Sequence, residues 1–108
     1  MRGDHVRGHL DLLLLSVLMR GPAHGYAVVS ALRERSGGAF DLPEGTVYPA
    51  LHRLEKAGWV TSSWDTSTGR RRRTYALTEA GRRACSEQRD AWFGLVRGVQ
   101  SVLGPAPA

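Results

Sequence analysis

A helix that is apolar on every side is the feature that most constrains how this chain can fold. In residues 10–19 only Asp11 and Ser16 interrupt a run of leucine, valine and methionine. Such a helix has no polar face for water, so other elements must enclose it on most sides. The run is also far shorter than the ~20 residues that a membrane span needs. The sequence therefore predicts a core helix, ended by Gly21 and Pro22.

Length and charge limit what can surround this helix. The 108 residues suffice for one domain with a modest core. Fifteen basic residues against ten acidic ones give a net charge of +5, which favours a polyanionic partner. The single cysteine, Cys85, excludes a disulfide or a paired-cysteine zinc site within one chain. We expect a cytoplasmic protein with no membrane partner and no cofactor.

The third predicted helix carries the clearest functional pattern. After a second helix over about residues 24–35, Pro49 requires the third helix to begin near residues 44–46, because proline is tolerated only in a first turn. It runs to residue 57. The inward stripe at helical spacing is Val47, Ala50, Leu51, Leu54 and Ala57. The outward side carries Tyr48, Pro49, His52, Arg53 and Lys56. This polar, cationic side predicts a helix that contacts a partner.

The side-chain period changes to two after Gly58, which predicts a β-hairpin. Residues 59–64 and 74–77 are rich in β-branched and aromatic side chains, and a polar tip containing Gly69 lies between them. The returning strand opens with Arg70, Arg71, Arg72 and Arg73. In a regular strand alternate side chains point to opposite faces. Two arginines would then face a partner, and two would face acids or the other side.

The last helix, capped by Thr78, has the seam of a helix that packs along another helix. Residues at spacings of 3, 4, 3, 4 and 3 form this seam: Cys85, Gln88, Trp92, Leu95, Val99 and Val102. We assign them, with Leu10 and Leu14 of the first helix, to a homodimer interface. Cys85 is expected to be a small seam residue, and a redox role is left open.

This order of elements predicts a mainly α fold with a β-hairpin, namely a winged helix-turn-helix followed by a dimerisation helix. The winged domain is expected over residues 1–78, with its recognition helix at about 45–57 and its wing at about 59–77. The dimerisation helix is expected over 79–103, and a disordered tail over 104–108.

Three segments resemble the PadR family of transcriptional regulators. They are Gly-Pro-Ala-His-Gly-Tyr at 21–26, the segment 45–58 with Thr-Val-Tyr-Pro-Ala-Leu-His-Arg-Leu-Glu at its centre, and 69–81 with Gly-Arg-Arg-Arg and Tyr-Ala-Leu-Thr-Glu-Ala-Gly. The resemblance covers residues from about 10 to 81, and it looks like the compact subfamily with one C-terminal helix. Pro43 departs from the pattern, since many members have a serine cap there. The resemblance implies a homodimer that binds an inverted repeat in double-stranded DNA and represses a nearby gene. It also implies release, in some members, by a small aromatic or drug-like effector.

In this setting the recognition helix is expected to lie in the major groove. His52 and Arg53 would reach base edges, where arginine favours guanine O6 and N7. Further base or phosphate contacts are assigned to Thr46, Tyr48, Pro49 and Lys56. The alternative interpretation is a solvated helix face with Tyr48 packed against the hairpin.

The wing is expected to contact phosphates or the minor groove through Gly69, Arg70, Arg71, Arg72 and Arg73. The alternative is a charge run that only aids solubility. For Tyr26 two interpretations stay open: its hydroxyl binds a phosphate, or its ring packs in the core.

Two further groups have both a structural and a functional interpretation. Trp92 is a dimer anchor, or it walls a pocket for a flat aromatic effector. His5 and His9, beside Asp4, have a spacing that would suit a metal, but we assign no metal site to residues so near a chain end.

Rival classes of function have less support. The sequence has no phosphate-cradling glycine loop, no nucleophile elbow and no cluster of metal ligands, so we do not expect an enzyme. A winged helix that binds protein or RNA without operator specificity would be favoured by an acidic or apolar outward face. The outward face is neither, so the sequence predicts a DNA-binding regulator.

Overall fold

The computed structural model describes residues 9–67 and 69–107, in which four helices and three strands are found. The helices are α1 (Leu10–Leu18), α2 (Gly25–Arg35), α3 (Glu44–Lys56) and α4 (Glu79–Leu103). The strands are β1 (Ala23–His24), β2 (Val60–Asp65) and β3 (Arg72–Leu77). The predicted fold class, mainly α with a β-hairpin, is confirmed.

Helix α1 lies at the centre of the core, as its all-apolar sequence requires. It packs against α2, α3, α4 and β3, and Leu14 and Leu15 are completely buried. Leu10 is buried as well. The assignment of Leu10 and Leu14 to a dimer interface is therefore wrong, because the chain's own elements already cover both side chains. No helix of the described residues is both long and apolar enough to span a bilayer.

Helix α3 begins directly after Pro43, which provides no side-chain cap. The backbone amides of Thr46 and Val47 donate to the Pro43 carbonyl instead. Pro49 falls early enough for the helix to continue through it. The predicted inward stripe is buried up to Leu54, but Ala57 is exposed. The helix ends one residue earlier than predicted, so Ala57 follows its last turn.

The sheet contains one strand more than the hairpin that the sequence predicts. Strands β2 and β3 pair antiparallel from Val60↔Leu77 to Asp65↔Arg72. The short β1 adds to the other edge of β3 and ties the start of α2 to the wing. Because β3 begins at Arg72, the first two arginines of the run lie in the tip of the hairpin and not in the strand.

Helix α4 begins within the core and then leaves it. The Thr78 hydroxyl accepts a hydrogen bond from the Gly81 amide and donates one to the Gly58 carbonyl. Cys85 is fully buried, with its sulfur 3.7 Å from the Ser16 hydroxyl. Cys85 is thus a core residue and not, as predicted, part of a dimer seam. Beyond it, none of the described residues of α4 is buried. The division at residue 78 and a disordered tail stay predictions.

Candidate nucleic-acid interface

The outward side of α3 presents most of the residues that the sequence singles out. Pro49, His52, Arg53 and Lys56 are exposed, and Thr46 is half-buried. They lie on the side of the helix opposite Val47, Ala50, Leu51 and Leu54, whose burial fixes the rotation of α3. A helix whose exposed side carries hydrogen-bonding and cationic side chains suits the major groove of DNA.

Tyr48 differs from the other predicted contacts because its ring lies against α2. A Cβ atom on Gly25 would overlap this ring and come within 2.8 Å of the tyrosine oxygen. Burial, and then the charge of Glu44, raise the pKa of Tyr48. The ring therefore packs between two helices, and the glycine at position 25 is what makes room for it.

Arg53 has a partner that the sequence pattern does not indicate. Its guanidinium donates to the Asp11 carboxylate of α1 and forms an ion pair with it. Both side chains remain partly exposed. The residue predicted to read bases is therefore held on the α1 side of α3 through its Nη2 atom.

The wing arginines have different environments, although they are consecutive. Arg70 is exposed beside Gly69 in the tip, where that glycine has a φ of +80°. The guanidinium of Arg71 lies 4.2 Å from the centre of the Trp64 ring. Arg72 donates to the Tyr26 hydroxyl at 2.8 Å. Only the first two are therefore presented at the tip.

Arg73 ties the wing to α3. Its Nε atom donates to the Ser62 hydroxyl at 2.9 Å, and its Nη2 atom lies 3.9 Å from a Glu55 carboxylate oxygen. Ser62 also donates to Glu55, at 2.6 Å. This network matches the expectation that some arginines of the run pair with acids. It fixes the wing relative to α3, and it leaves Arg73 engaged within the chain.

The opposite face of the wing holds a polar cluster around Tyr26. The His24 ring stacks on the Tyr26 ring with centroids 5.7 Å apart. His24 also lies 3.2 Å from the Thr74 hydroxyl and 3.8 Å from the Asp65 carboxylate. Hydrogen bonds from Ser67 lower the pKa of Asp65. Tyr26 is half-exposed, which leaves its ring outside the core and its hydroxyl beside Arg72.

The second half of α4 carries an apolar strip along its exposed length. Trp92, Leu95, Val99 and Val102 are exposed by 36, 56, 46 and 88%, and Gln88 is half-buried. His9 packs edge-on against Trp92 at 4.7 Å. Trp92 and Leu95 border a shallow cleft of about 230 Å³, which is lined by His9, Leu12, Gln88, Ala91, Trp92 and Leu95.

A metal site at His5 and His9 falls largely outside the residues that the structure describes. Asp4 and His5 lie outside the described residues, and the His9 ring packs on Trp92. Within residues 9–67 and 69–107, no three potential metal ligands of the histidine, cysteine or carboxylate type lie together.

Sequence reasoning missed Asp11, Glu55, Trp64 and Asp65, which hold the predicted contact residues in place. Asp65 alone had a local signal, since an aspartate followed two residues later by serine is typical of an Asx turn. The other three act through contacts between elements that are distant in sequence.

Comparison with known proteins agrees with this geometry. The sequence model of the transcriptional regulator PadR-like family matches residues 14–87. A transcriptional regulator of Mycobacterium tuberculosis is 43% identical over 67 residues, which are 62% of this chain and 63% of that protein. The crystal structure of a PadR family regulator from Eggerthella lenta has a TM-score of 0.81 at 35% identity and covers 95% of this chain and 88% of its own. Bacillus subtilis PadR, crystallised with operator DNA, has a TM-score of 0.66 at 25% identity over 73% of this chain and 45% of its own. This chain therefore belongs to the PadR-like family of transcriptional regulators.

Proposed function

We propose that this protein is a DNA-binding transcriptional repressor that recognises an inverted repeat as a homodimer. One observation carries the proposal: the exposed polar side of α3 stands beside a wing whose tip presents Arg70 and Arg71. The similar Bacillus subtilis protein was crystallised with operator DNA, which supports DNA as the partner. The net charge of +5 favours the same partner.

The two elements would contribute differently to binding. Side chains of α3 would contact base edges, and discrimination between sequences would depend on them. Arginines of the wing tip would contact phosphates, which provides affinity and salt dependence with little sequence information. His52 and Lys56 are exposed and do not take part in the ion pair between Arg53 and Asp11, so their side chains can turn towards DNA.

The apolar strip of α4 supports the homodimer. A strip of four exposed apolar side chains at seam spacing is unfavourable in water and is typical of a surface covered by another helix. A two-fold pair of chains would place two copies of α3 about 34 Å apart, which matches one turn of DNA.

A titration with the protein's own upstream DNA tests the proposal. Fluorescence anisotropy should show tight binding to a fragment that contains an inverted repeat and much weaker binding to a shuffled fragment. Raising the salt concentration from about 50 to 200 mM should weaken both strongly. Equal binding to both fragments, or none to either, would favour the rival interpretation of a module that binds protein or RNA.

We extend the proposal to a small aromatic effector that binds at Trp92. The cleft beside this ring is apolar, which suits a flat hydrophobic ligand. Planar aromatic compounds should quench the wild-type tryptophan fluorescence and release the DNA. Trp92→Leu should lose the quenching that the wild type shows, while Trp64→Phe should keep it. Equal quenching of Trp92→Leu and wild type would contradict an effector site at this residue.

A further inference from the structure

An exposed tryptophan on the wing has no role in the core. Trp64 is exposed by 52%, and it is not among the partly buried apolar residues that pack on the core. Burial of apolar surface therefore does not account for a tryptophan at this position. Its contacts are instead with two cationic side chains.

The indole of Trp64 is covered by arginines from the neighbouring strand and the tip. The guanidinium carbon of Arg71 lies 4.2 Å from its ring centre, and that of Arg73 lies 5.1 Å away. Both distances are within the range of a cation–π interaction. Arg73 is the direct cross-strand partner of Trp64, so its side chain lies on the same face of the wing.

The two arginines depend on the ring to different extents. Arg73 is also held by Ser62 and Glu55, so its position does not require the indole. Arg71 belongs to the tip, before the first residue of β3, where no ladder of backbone hydrogen bonds restricts it. Within residues 9–67 and 69–107, the Trp64 ring is the contact found for its guanidinium, and it restricts the directions that this group can take.

We infer that Trp64 is a positioning residue for DNA binding, whose ring holds Arg71 ready to contact a phosphate. This inference rests on the proposed function. A long arginine side chain loses rotamer freedom when it binds, and prior ordering reduces that loss. The ring leaves the charge intact, because a cation–π contact does not neutralise the guanidinium as an ion pair would.

A double-mutant cycle tests the inference, with DNA affinity measured for Trp64→Leu, Arg71→Ala and the double variant. Trp64→Leu alone should weaken binding about 3- to 10-fold, the effect of one or two such contacts. In the Arg71→Ala background the same change should have almost no further effect. Trp64→Phe should retain most of the affinity, since it keeps an aromatic face.

Arg70 provides the matched control, because it is an exposed arginine of the same tip. The fold losses of DNA affinity caused by Trp64→Leu and by Arg70→Ala should multiply in the variant that carries both changes. If the losses from Trp64→Leu and Arg71→Ala also multiply, the inference is overturned, because Trp64 would then affect DNA binding independently of Arg71.

A measurement without DNA separates this inference from the proposed function. In nuclear magnetic resonance spectra the side-chain protons of Arg71 should be shifted upfield by the ring, in wild type and Trp64→Phe but not in Trp64→Leu. Absence of the shift in wild type overturns the inference even if DNA binds normally. If the shift is present but wild type does not bind its upstream DNA, the proposed function has failed, and with it a positioning role in DNA binding.

Discussion

At the scale of single residues, Gly81 shows how closely α4 approaches the wing. A Cβ atom at this position would overlap the backbone carbonyl oxygen of Trp59, and backbone cannot move away as a flexible side chain can. The residue is in the first turn of α4, where the Thr78 cap also fixes it. The segment between α3 and β2 and the start of α4 therefore meet across a glycine.

We expect Gly81→Ala to lower the free energy of unfolding by about 1–3 kcal/mol, as overpacking in a core does. Gly98→Ala is the matched control, since a Cβ atom there meets nothing within 4 Å. That change should leave stability unchanged or raise it by up to about 1 kcal/mol, because alanine favours a helix. Urea unfolding followed by circular dichroism measures the free energy of unfolding of both variants. Equal effects of the two substitutions would contradict the close approach of Gly81 to the Trp59 carbonyl.

Tyr75 gives a residue-scale prediction about pH. Burial raises the pKa of its hydroxyl, an effect that the charge of Arg73 partly offsets. The folded state therefore holds this proton more tightly than the unfolded state does. Below about pH 10, the ordinary tyrosine value, both states are protonated and the difference has no effect. Above it the unfolded state loses the proton first, so stability falls as pH rises.

The variant Tyr75→Phe should therefore lose less stability than wild type between about pH 9 and 11. The pKa of Tyr48 is raised as well. Tyr48→Phe should therefore also reduce the loss of stability at high pH, and the double variant should reduce it further. Thermal unfolding across this pH range measures how steeply the stability of each variant falls with pH. A wild-type slope equal to that of the double variant would show that neither hydroxyl contributes.

At the scale of elements, periodicity predicts the helices and the hairpin because each depends on neighbours in sequence. The bounds of α3 followed from Pro49 and Gly58 to within a residue or two. Strand β1 could not be predicted, because two residues are too few for a period and it exists only through pairing with β3. Tyr48 was placed on the outward side by its angle on the helix, whereas space beside Gly25 decides its direction.

The contrast between α3 and the wing leads to a prediction at this scale. Replacing both Arg70 and Arg71 with alanine should weaken binding to all DNA sequences about equally. The slope of log affinity against log salt should fall by about 1 for each phosphate contact that is lost. Anisotropy titrations at several salt concentrations provide both quantities.

Arg53→Ala should instead act selectively, since a residue that reads one base pair discriminates by about 1–3 kcal/mol at that position. The loss of affinity should appear with operators that keep the base pair that Arg53 reads. Operators that already carry another base pair at that position should be little affected. Uniform loss across operators would assign Arg53 to the phosphates.

At the scale of the whole molecule, the exposed end of α4 leads to a prediction about assembly. The structure removes Leu10, Leu14 and Cys85 from the predicted interface, because elements of the same chain already cover them. The sequence of an all-apolar helix could not show which of its side chains face a partner. Side chains covered by their own chain and side chains covered by a partner are both apolar. The strip from Trp92 to Val102 is exposed in the single chain, and it is the part of the seam that we propose as the interface.

We expect Val99→Glu to produce monomers, because it introduces a charge into this strip. Sedimentation velocity should show half the wild-type mass, with helix content retained. DNA affinity should fall on the order of 100-fold, since two half-sites no longer bind as one unit. Gln100→Glu adds the same charge one residue further along, away from the strip, and should leave both properties unchanged. Dimers of Val99→Glu would contradict the proposed interface.

The burial of Cys85 against α1 has a consequence for how the protein is made. The apolar helix leaves the ribosome early, but the part of α4 that covers it follows about 65 residues later, a delay of several seconds at ordinary rates of synthesis. During that time the side of α1 that α4 covers, around Ser16, is exposed to other chains and to chaperones. A fragment cut at residue 78 would keep that side of α1 uncovered. We therefore expect a well-behaved fragment of this chain to extend past Cys85.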